Sequence, residues 1–542
     1  MLLPLAACGN TEPEAPDTPL SSERRVDYEY PDDYLSEEIY PMKKILRDTE
    51  NYYKEISKAY PDRPVLVLIT HKMLSGFSVE NNDAINRWLE EKGYGFSLMI
   101  YGLPFRREEI TSGLTFEEKL NEYIKAGGRC DLILPDPNWS SLSAHADDTV
   151  WDYVEDGLIT AISDLATEEQ MQALCDTYGE TYLEVNSDNG KIYGLSPSTL
   201  KGAQFQSYIA VSDEVLPLVK GKTADELGEM LVFDREFLTQ AKDAAKTSTA
   251  VFLLSSSANE LIAPFLTKNR YVPLNNLQLY VDAESVPANV LGLWEIPGYE
   301  EFVRTHVENI DSGLWTNGGE LKTNTAAMIF FSSYRDEKLA KAQLDATLAE
   351  NEVNRNYTLL SLNEYPVTVG VENAVLISAS SENETLSCAT AINIATDAEL
   401  ARVLSSGVEG RSYSEENGRY QFLQNSFGVC VLSNPLFAVP ATEYLNPLSE
   451  SCKNAQKNAI LSPYENFSPD FTKAESAADA LALWGCDLWD YLSVGNAEMF
   501  TLSSGVDAAS FLEISPPDIS ALKESLADQL EYYTGRYLEP RE

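Results

Sequence analysis

Residues 135–141 read Pro-Asp-Pro-Asn-Trp-Ser-Ser and place a carboxylate, an amide and a large aromatic ring within four positions, at Asp136, Asn138 and Trp139. Further rings that could face a ligand are Phe105, next to Arg106, and the tyrosines Tyr208 and Tyr334. Groups of these kinds hold a molecule: a ring offers a flat apolar face, and a carboxylate or amide accepts or donates hydrogen bonds. Patterns that make or break bonds are missing. The chain has no GxSxG, no HExxH and no P-loop. Ser520-Ala521-Leu522-Lys523 matches SxxK, the acyl-serine pattern, but it lies on an amphipathic stretch without a KTG or SDN partner and reads as chance. Carboxylate pairs carry no information among 85 acidic residues. Seven cysteines contain no CxxC pair, and His71, His145 and His306 are the only three histidines, so no metal site and no cofactor is expected.

The net charge is −45. Nucleic-acid binding draws on an excess of Lys and Arg to displace phosphate counterions, so this balance excludes a nucleic-acid partner. No apolar run approaches the ~18 residues of a membrane span. The opening Leu5-Ala6-Ala7-Cys8 nevertheless resembles a bacterial lipobox, in which the cysteine thiol receives a diacylglyceryl group and the peptide before it is removed. Two acyl chains meet the requirement for stable anchoring. Asp, Glu, Pro, Ser and Thr dominate residues 9–33, a composition that cannot bury a core and reads as a flexible tether. Seven residues precede Cys8 and none is basic, so the start of the signal peptide is expected upstream. The expected organisation begins with a signal-peptide remnant at 1–8 and an acidic tether at 9–40.

Regular elements must position these rings. A helix is expected over 41–59, with Ile45, Leu46, Tyr53 and Ile56 on one stripe, followed by an uninterrupted apolar run at 64–69 that reads as a strand buried on both faces. A helix over 80–92, a strand over 96–101, a helix opened by the Thr115-Phe116-Glu117-Glu118 capping box and a strand over 131–134 complete a β-α-β-α-β order. Short links of that kind imply right-handed crossovers and a parallel sheet. Ligands of open α/β sheets bind beyond the carboxyl ends of the strands, which here begin the loops near 71–78, 102–114 and 135–145. Further on, helices are expected near 165–185, 223–245, 299–311, 397–405 and 517–537, with short strands around 206–211 and 326–332.

Four stretches, in order along 60–540, resemble the extracellular solute-binding lipoproteins of bacterial ABC importers, in particular the large Gram-positive group assigned to sugar uptake. They are DGLITAISDL (156–165), NGKIYGLSP (189–197), LKTNTAAMIFF (321–331) and GVEGRSYSEENGRYQ (407–421). The resemblance implies an α/β fold of two lobes joined by crossing strands, of the type II periplasmic-binding-protein kind, with a cleft between them. Lobe 1 would be 60–198 plus 363–435, and lobe 2 199–362 plus 436–542. It also implies a monomer that captures a small solute, an oligosaccharide by this analogy, closes on it and presents it to permease subunits in the membrane, to which the receptor is held by its lipid alone. A sugar has an apolar face and a rim of hydroxyls, which would assign Trp139, Phe105, Tyr208 and Tyr334 to its face and Asp136 and Asn138 to its rim. The rival readings are a secreted glycoside hydrolase, which would need two placed carboxylates, and a surface adhesin or sensor-linked binding protein that feeds no permease.

Overall fold

The computed structural model describes residues 25–29, 41–71, 78–105, 114–135, 149–179, 183, 187–188, 190–195, 205–247, 252–254, 271–274, 279–282, 285, 288–317, 326–334, 337–362, 374–416, 419–423, 437, 464, 467, 469–494 and 516–538. Helix α1 (Met42–Ala59) buries Ile45, Tyr52 and Ile56 on one stripe. It leads into β1 (Val65–His71), α2 (Val79–Glu91), β2 (Ser97–Leu103), α3 (Phe116–Lys125) and β3 (Leu132–Leu134). The capping box at α3 forms as its spacing predicts: the Thr115 hydroxyl accepts from the Glu118 N–H at 3.1 Å, and Glu118 accepts from the Thr115 N–H at 3.1 Å. β1 runs parallel to both β2 and β3, with every residue of β2 buried, as expected of strands covered on two faces.

The sheet is completed by strands from distant parts of the chain. After α4 (Val150–Glu155), β4 (Ile159–Thr160), α5 (Glu168–Tyr178) and β5 (Gly194–Leu195), the chain leaves the first sheet and builds a second one. That sheet contains β6 (Phe205–Ser212) and, after α6 (Ala224–Phe233) and α7 (Arg235–Ala245), β7 (Phe252–Leu254). The expected single helix over 223–245 is two, because the Asp234 carboxylate stops α6 and caps α7 by accepting from the Phe237 N–H at 2.8 Å. A separate antiparallel hairpin and strand form β8 (Tyr271–Pro273), β9 (Leu279–Asp282) and β10 (Val290–Gly292). Then α8 (Tyr299–Asp311), β11 (Trp315–Asn317), β12 (Met328–Tyr334), α9 (Glu337–Glu350) and β13 (Tyr357–Ser361) close the second sheet in the order β11-β7-β12-β6-β13.

The chain then returns. β14 (Val375–Ser378) enters the first sheet antiparallel between β3 and β4, giving β2-β1-β3-β14-β4, with β5 also paired to β14. The sheet expected to be parallel is therefore mixed, since its fourth strand arrives from the other lobe. Two crossings and two sheets make a two-lobed α/β solute-binding protein fold. α10 (Glu384–Thr396), α11 (Ala398–Ser406) and the hairpin of β15 (Tyr413–Glu416) and β16 (Arg419–Phe422) lie beyond β14 in the chain.

Packing corrects two expectations. The C-terminal stretch, expected in the second lobe, places its described helices α12 (Glu475–Val494) and α13 (Ser520–Tyr533) in a core shared with the first lobe. Leu522, Leu526 and Leu530 of α13 join Tyr52, Trp151 and Val67 in that core. The Trp151 indole N–H donates to the Tyr533 hydroxyl at 3.1 Å, and Trp151 stacks on Tyr537 at 4.6 Å. Arg536 pairs with Asp188 at 2.9 Å. Only at its edges does this stretch meet the second lobe's side, through Trp484 against Trp294 at 4.9 Å and Lys523 against Glu295 at 2.6 Å. The second correction concerns residues 25–29, expected within the tether: Val26 is 1% exposed in the first-lobe core and Tyr28 stacks on Tyr52 at 4.6 Å. Among the described residues, no helix is long and apolar enough to cross a membrane.

Candidate functional site

The register of the first sheet fixes one edge. Parallel pairing sets His71 level with Leu103, and Thr70 level with Leu134, so β1, β2 and β3 end together. β14 runs the opposite way, with Leu376 beside Ile133, and Val375 pairs with Leu195 at the end of β5. Both chain crossings therefore meet the first lobe at the carboxyl edge of its parallel strands. In the second sheet, Tyr334 pairs with Phe205 and Ser361 with Tyr208, while the Leu362 N–H donates to the Ser207 carbonyl at 3.0 Å. The Gln206 amide donates to the Ser361 hydroxyl. The second lobe's end of each crossing thus lies at the edge formed by Phe205, Ser207, Tyr334 and Ser361. The two edges so joined are the candidate site.

What holds the first edge in place is a side-chain substitute for a missing strand. β2 is the outermost strand, and its outward backbone groups need partners. Asn82 and Asn86, one turn apart on α2, supply them. The Asn86 side chain accepts from the Leu98 N–H at 2.7 Å and donates to the Leu98 carbonyl at 2.8 Å. Asn82 donates to the same carbonyl at 2.9 Å and accepts from the Ile100 N–H at 3.2 Å. At the opposite end of the sheet, the Asp131 carboxylate accepts from the Val67 N–H at 2.8 Å and from the Ser381 hydroxyl at 2.5 Å, tying β1 and β3 to the segment after β14. Burial raises the Asp131 carboxyl above its ordinary range, and the two donors work against that rise.

The candidate ligand residues are distributed unevenly about this site. Asp136, Asn138 and Trp139 lie outside the described residues; the buried Leu134 and Pro135 that lead to them end at the joined edge. Tyr334 is the last residue of β12, on the facing edge. Phe105 lies two residues past β2 and is 6% exposed, its ring stacked on Phe116 at 6.4 Å with the Lys119 ammonium 5.8 Å above it. Tyr208 is 2% exposed and stacks on Phe331 at 6.0 Å, within a core that includes Ala326, Ala340 and Leu344. A platform for a solute must leave one ring face open. Phe105 and Tyr208 give theirs to neighbouring rings, unlike the open platforms expected from residue type alone. Cys8 lies outside the described residues. Sequence reading missed Asn82 and Asn86, whose i, i+4 spacing is the one trace that two amides share a helix face.

The SxxK pair serves structure: the Ser520 hydroxyl donates to Asp518 at 2.6 Å and Lys523 donates to Glu295 at 2.6 Å. A cavity of about 260 Å³ lies beneath α1, lined by Leu46, Tyr53, Val67, Met99, Tyr123 and Arg129. It adjoins the start of β3, at the end of the sheet away from the crossings, and its cation is engaged by Glu50 at 3.3 Å and by the Tyr53 ring at 4.5 Å. Among the described residues, no group of three His, Cys, Asp or Glu side chains could hold a metal ion.

No family model matches the chain, and no curated protein matches it in sequence. Among solved structures, its fold is similar to the N-glycan transport solute-binding protein of Streptococcus pneumoniae, with 16% identity over 88% of this chain and 100% of that one, at a TM-score of 0.49. It is similar also to a human-milk-oligosaccharide-binding, ABC-transporter-associated solute-binding protein of Bifidobacterium longum infantis, with 12% identity over 88% and 98% of the two chains and a TM-score of 0.46. A third similar structure is the galacto-N-biose and lacto-N-biose I-binding protein of a Bifidobacterium longum ABC transporter, with 11% identity over 87% and 98% and a TM-score of 0.38.

Proposed function

We propose that the chain is a lipid-anchored extracellular receptor that captures a small solute, an oligosaccharide, between its lobes and delivers it to an ABC permease. The observation that carries this reading is the double crossing at one edge of each sheet. A solute held between the joined edges touches both lobes at once, so its binding free energy is available to favour a closed arrangement. Trp139 would stack on the sugar face, with Asp136 and Asn138 bonding its hydroxyls from the first lobe. Tyr334 would meet it from the second. Phe105 and Tyr208, by their burial, would back the site instead of lining it. Cys8 would carry the acyl chains, and the receptor would act as a monomer without altering its cargo.

Micromolar capture corresponds to about −8 kcal/mol, within reach of one or two ring stacks of about 1 kcal/mol each together with several hydrogen bonds. Calorimetric titration with an N-glycan fragment, a milk oligosaccharide and lacto-N-biose tests the reading. Saturable 1:1 heat, with affinity falling about tenfold in Trp139→Ala, is expected. Turnover of a labelled glycoside would replace the receptor by a hydrolase, and titration with no heat from any glycan would remove sugars as the cargo.

A further inference from the structure

We propose that residues 25–29 form an orienting strap, which docks the tether on the first lobe and makes it leave the receptor at the end remote from the crossings. The inference rests on the reading of Cys8 as the membrane anchor. Asp83 on α2 is 1% exposed, and a carboxylate so buried needs donors. It receives the Tyr60 hydroxyl at 3.0 Å and the Arg25 backbone N–H at 3.1 Å, and it pairs with Arg87 at 3.5 Å. The strap therefore supplies one of the groups that satisfy a core charge. The Arg25 guanidinium continues along α2 to Glu90 at 2.5 Å and lies 5.7 Å above the Tyr60 ring. Val26 inserts into the core at 1% exposure, and Tyr28 stacks on Tyr52 of α1 at 4.6 Å with the rings 16° apart. Successive residues thus reach α2, the core and α1.

The contacts also give direction. A helix linking two parallel strands runs back against them, so the carboxyl end of α2, with Glu90, lies at the strands' amino edge. Tyr60, between α1 and β1, marks the same edge. Arg25 is held there, whereas both crossings are at the carboxyl edge. Between Cys8 and the strap lie residues 9–24, which span roughly 55 Å when extended and about 20–24 Å as a flexible chain. A chain of that reach, leaving from the α2 end of the first lobe, holds that lobe nearer the membrane than the second.

The test uses the full chain with an added N-terminal hexahistidine, bound to phosphatidylcholine vesicles containing a nickel-chelating lipid and an acceptor-labelled lipid. A donor dye is attached at the position of Glu91, on α2, or of Glu300, on α8, through an introduced azide side chain. Energy transfer should be stronger from the first position, and the difference should vanish in the double variant Val26→Asp with Tyr28→Ser. Amide exchange in the unbound chain provides the second reading, with residues 26–28 expected to exchange at least about tenfold more slowly than in the variant. Equal transfer from both positions, a difference that survives in the variant, or exchange at variant rates in the native chain would each overturn the strap. Attachment through the tag makes these outcomes independent of acylation, which loss of palmitate labelling in Cys8→Ser reports separately.

Discussion

Asn86 shows how much one amide contributes to positioning the candidate site. Replacing it by leucine leaves the Leu98 N–H of an edge strand buried without an acceptor, while the Leu98 carbonyl keeps Asn82. An orphaned buried donor costs about 1–3 kcal/mol, so urea denaturation of Asn86→Leu should show a loss in that range. A change smaller than about 0.5 kcal/mol would mean that water reaches the strand. The thiols give a second residue-scale prediction. Cys130, Cys175 and Cys388 are free, and burial pushes the Cys388 thiol up to about 11 and raises that of Cys130 as well. Alkylation requires thiolate, so at about pH 8 the native chain should be modified at Cys175 and spared at Cys130 and Cys388, as read by mass spectrometry. Prompt modification of Cys388 would contradict its placement in the first-lobe core. None of this is legible in a sequence: an asparagine that mimics a strand and a cysteine that packs as a hydrophobe look like any others.

At the scale of elements, what a local pattern could specify was readable. The apolar runs of β1 and β2 and the Thr115–Glu118 cap are signals contained within a few residues. β14 is four residues long and joins β3 from a distant part of the chain, so its place depends on a pairing that no local window contains. α10 buries Ser387, Cys388, Thr390, Ala391, Ile392, Ile394 and Ala395, leaving no polar stripe to betray a helix. In the strap, Val26 and Tyr28 form an i, i+2 pair too short to read against an acidic background. The C-terminal helix α13 has a visible apolar face, but nothing in that face names the lobe it covers. Leu526 is fully buried against the first lobe, so Leu526→Ala should lower stability by about 2–5 kcal/mol. If α13 belonged to the second lobe, that loss would appear in hydrogen exchange of β6 and β12, whereas we expect it in α4 and α1.

For the whole molecule, the fold was legible and the cargo was not. The order of elements and the return of the chain depend on buried strands and crossover rules, which many sequences satisfy alike. Cargo identity depends on a few side chains at the joined edges, and ring burial there removes Phe105 and Tyr208 from the set that aromatic type alone had nominated. Lobe closure has its own observable. Spin labels at the positions of Glu91 and Glu300 should move closer when cargo saturates the receptor, while a pair of labels within one lobe keeps its distance.

The most direct measurement of the central claim is a thermal-unfolding screen of the chain from Gly9 onward against oligosaccharides, monosaccharides, peptides and polyols. A ligand present at about 100 times its Kd adds about 2.7 kcal/mol to the stability of the state that binds it. We predict a dose-dependent rise in Tm with one class of oligosaccharide, reduced in Trp139→Ala. A rise with peptides or polyols and none with any glycan would contradict the claim.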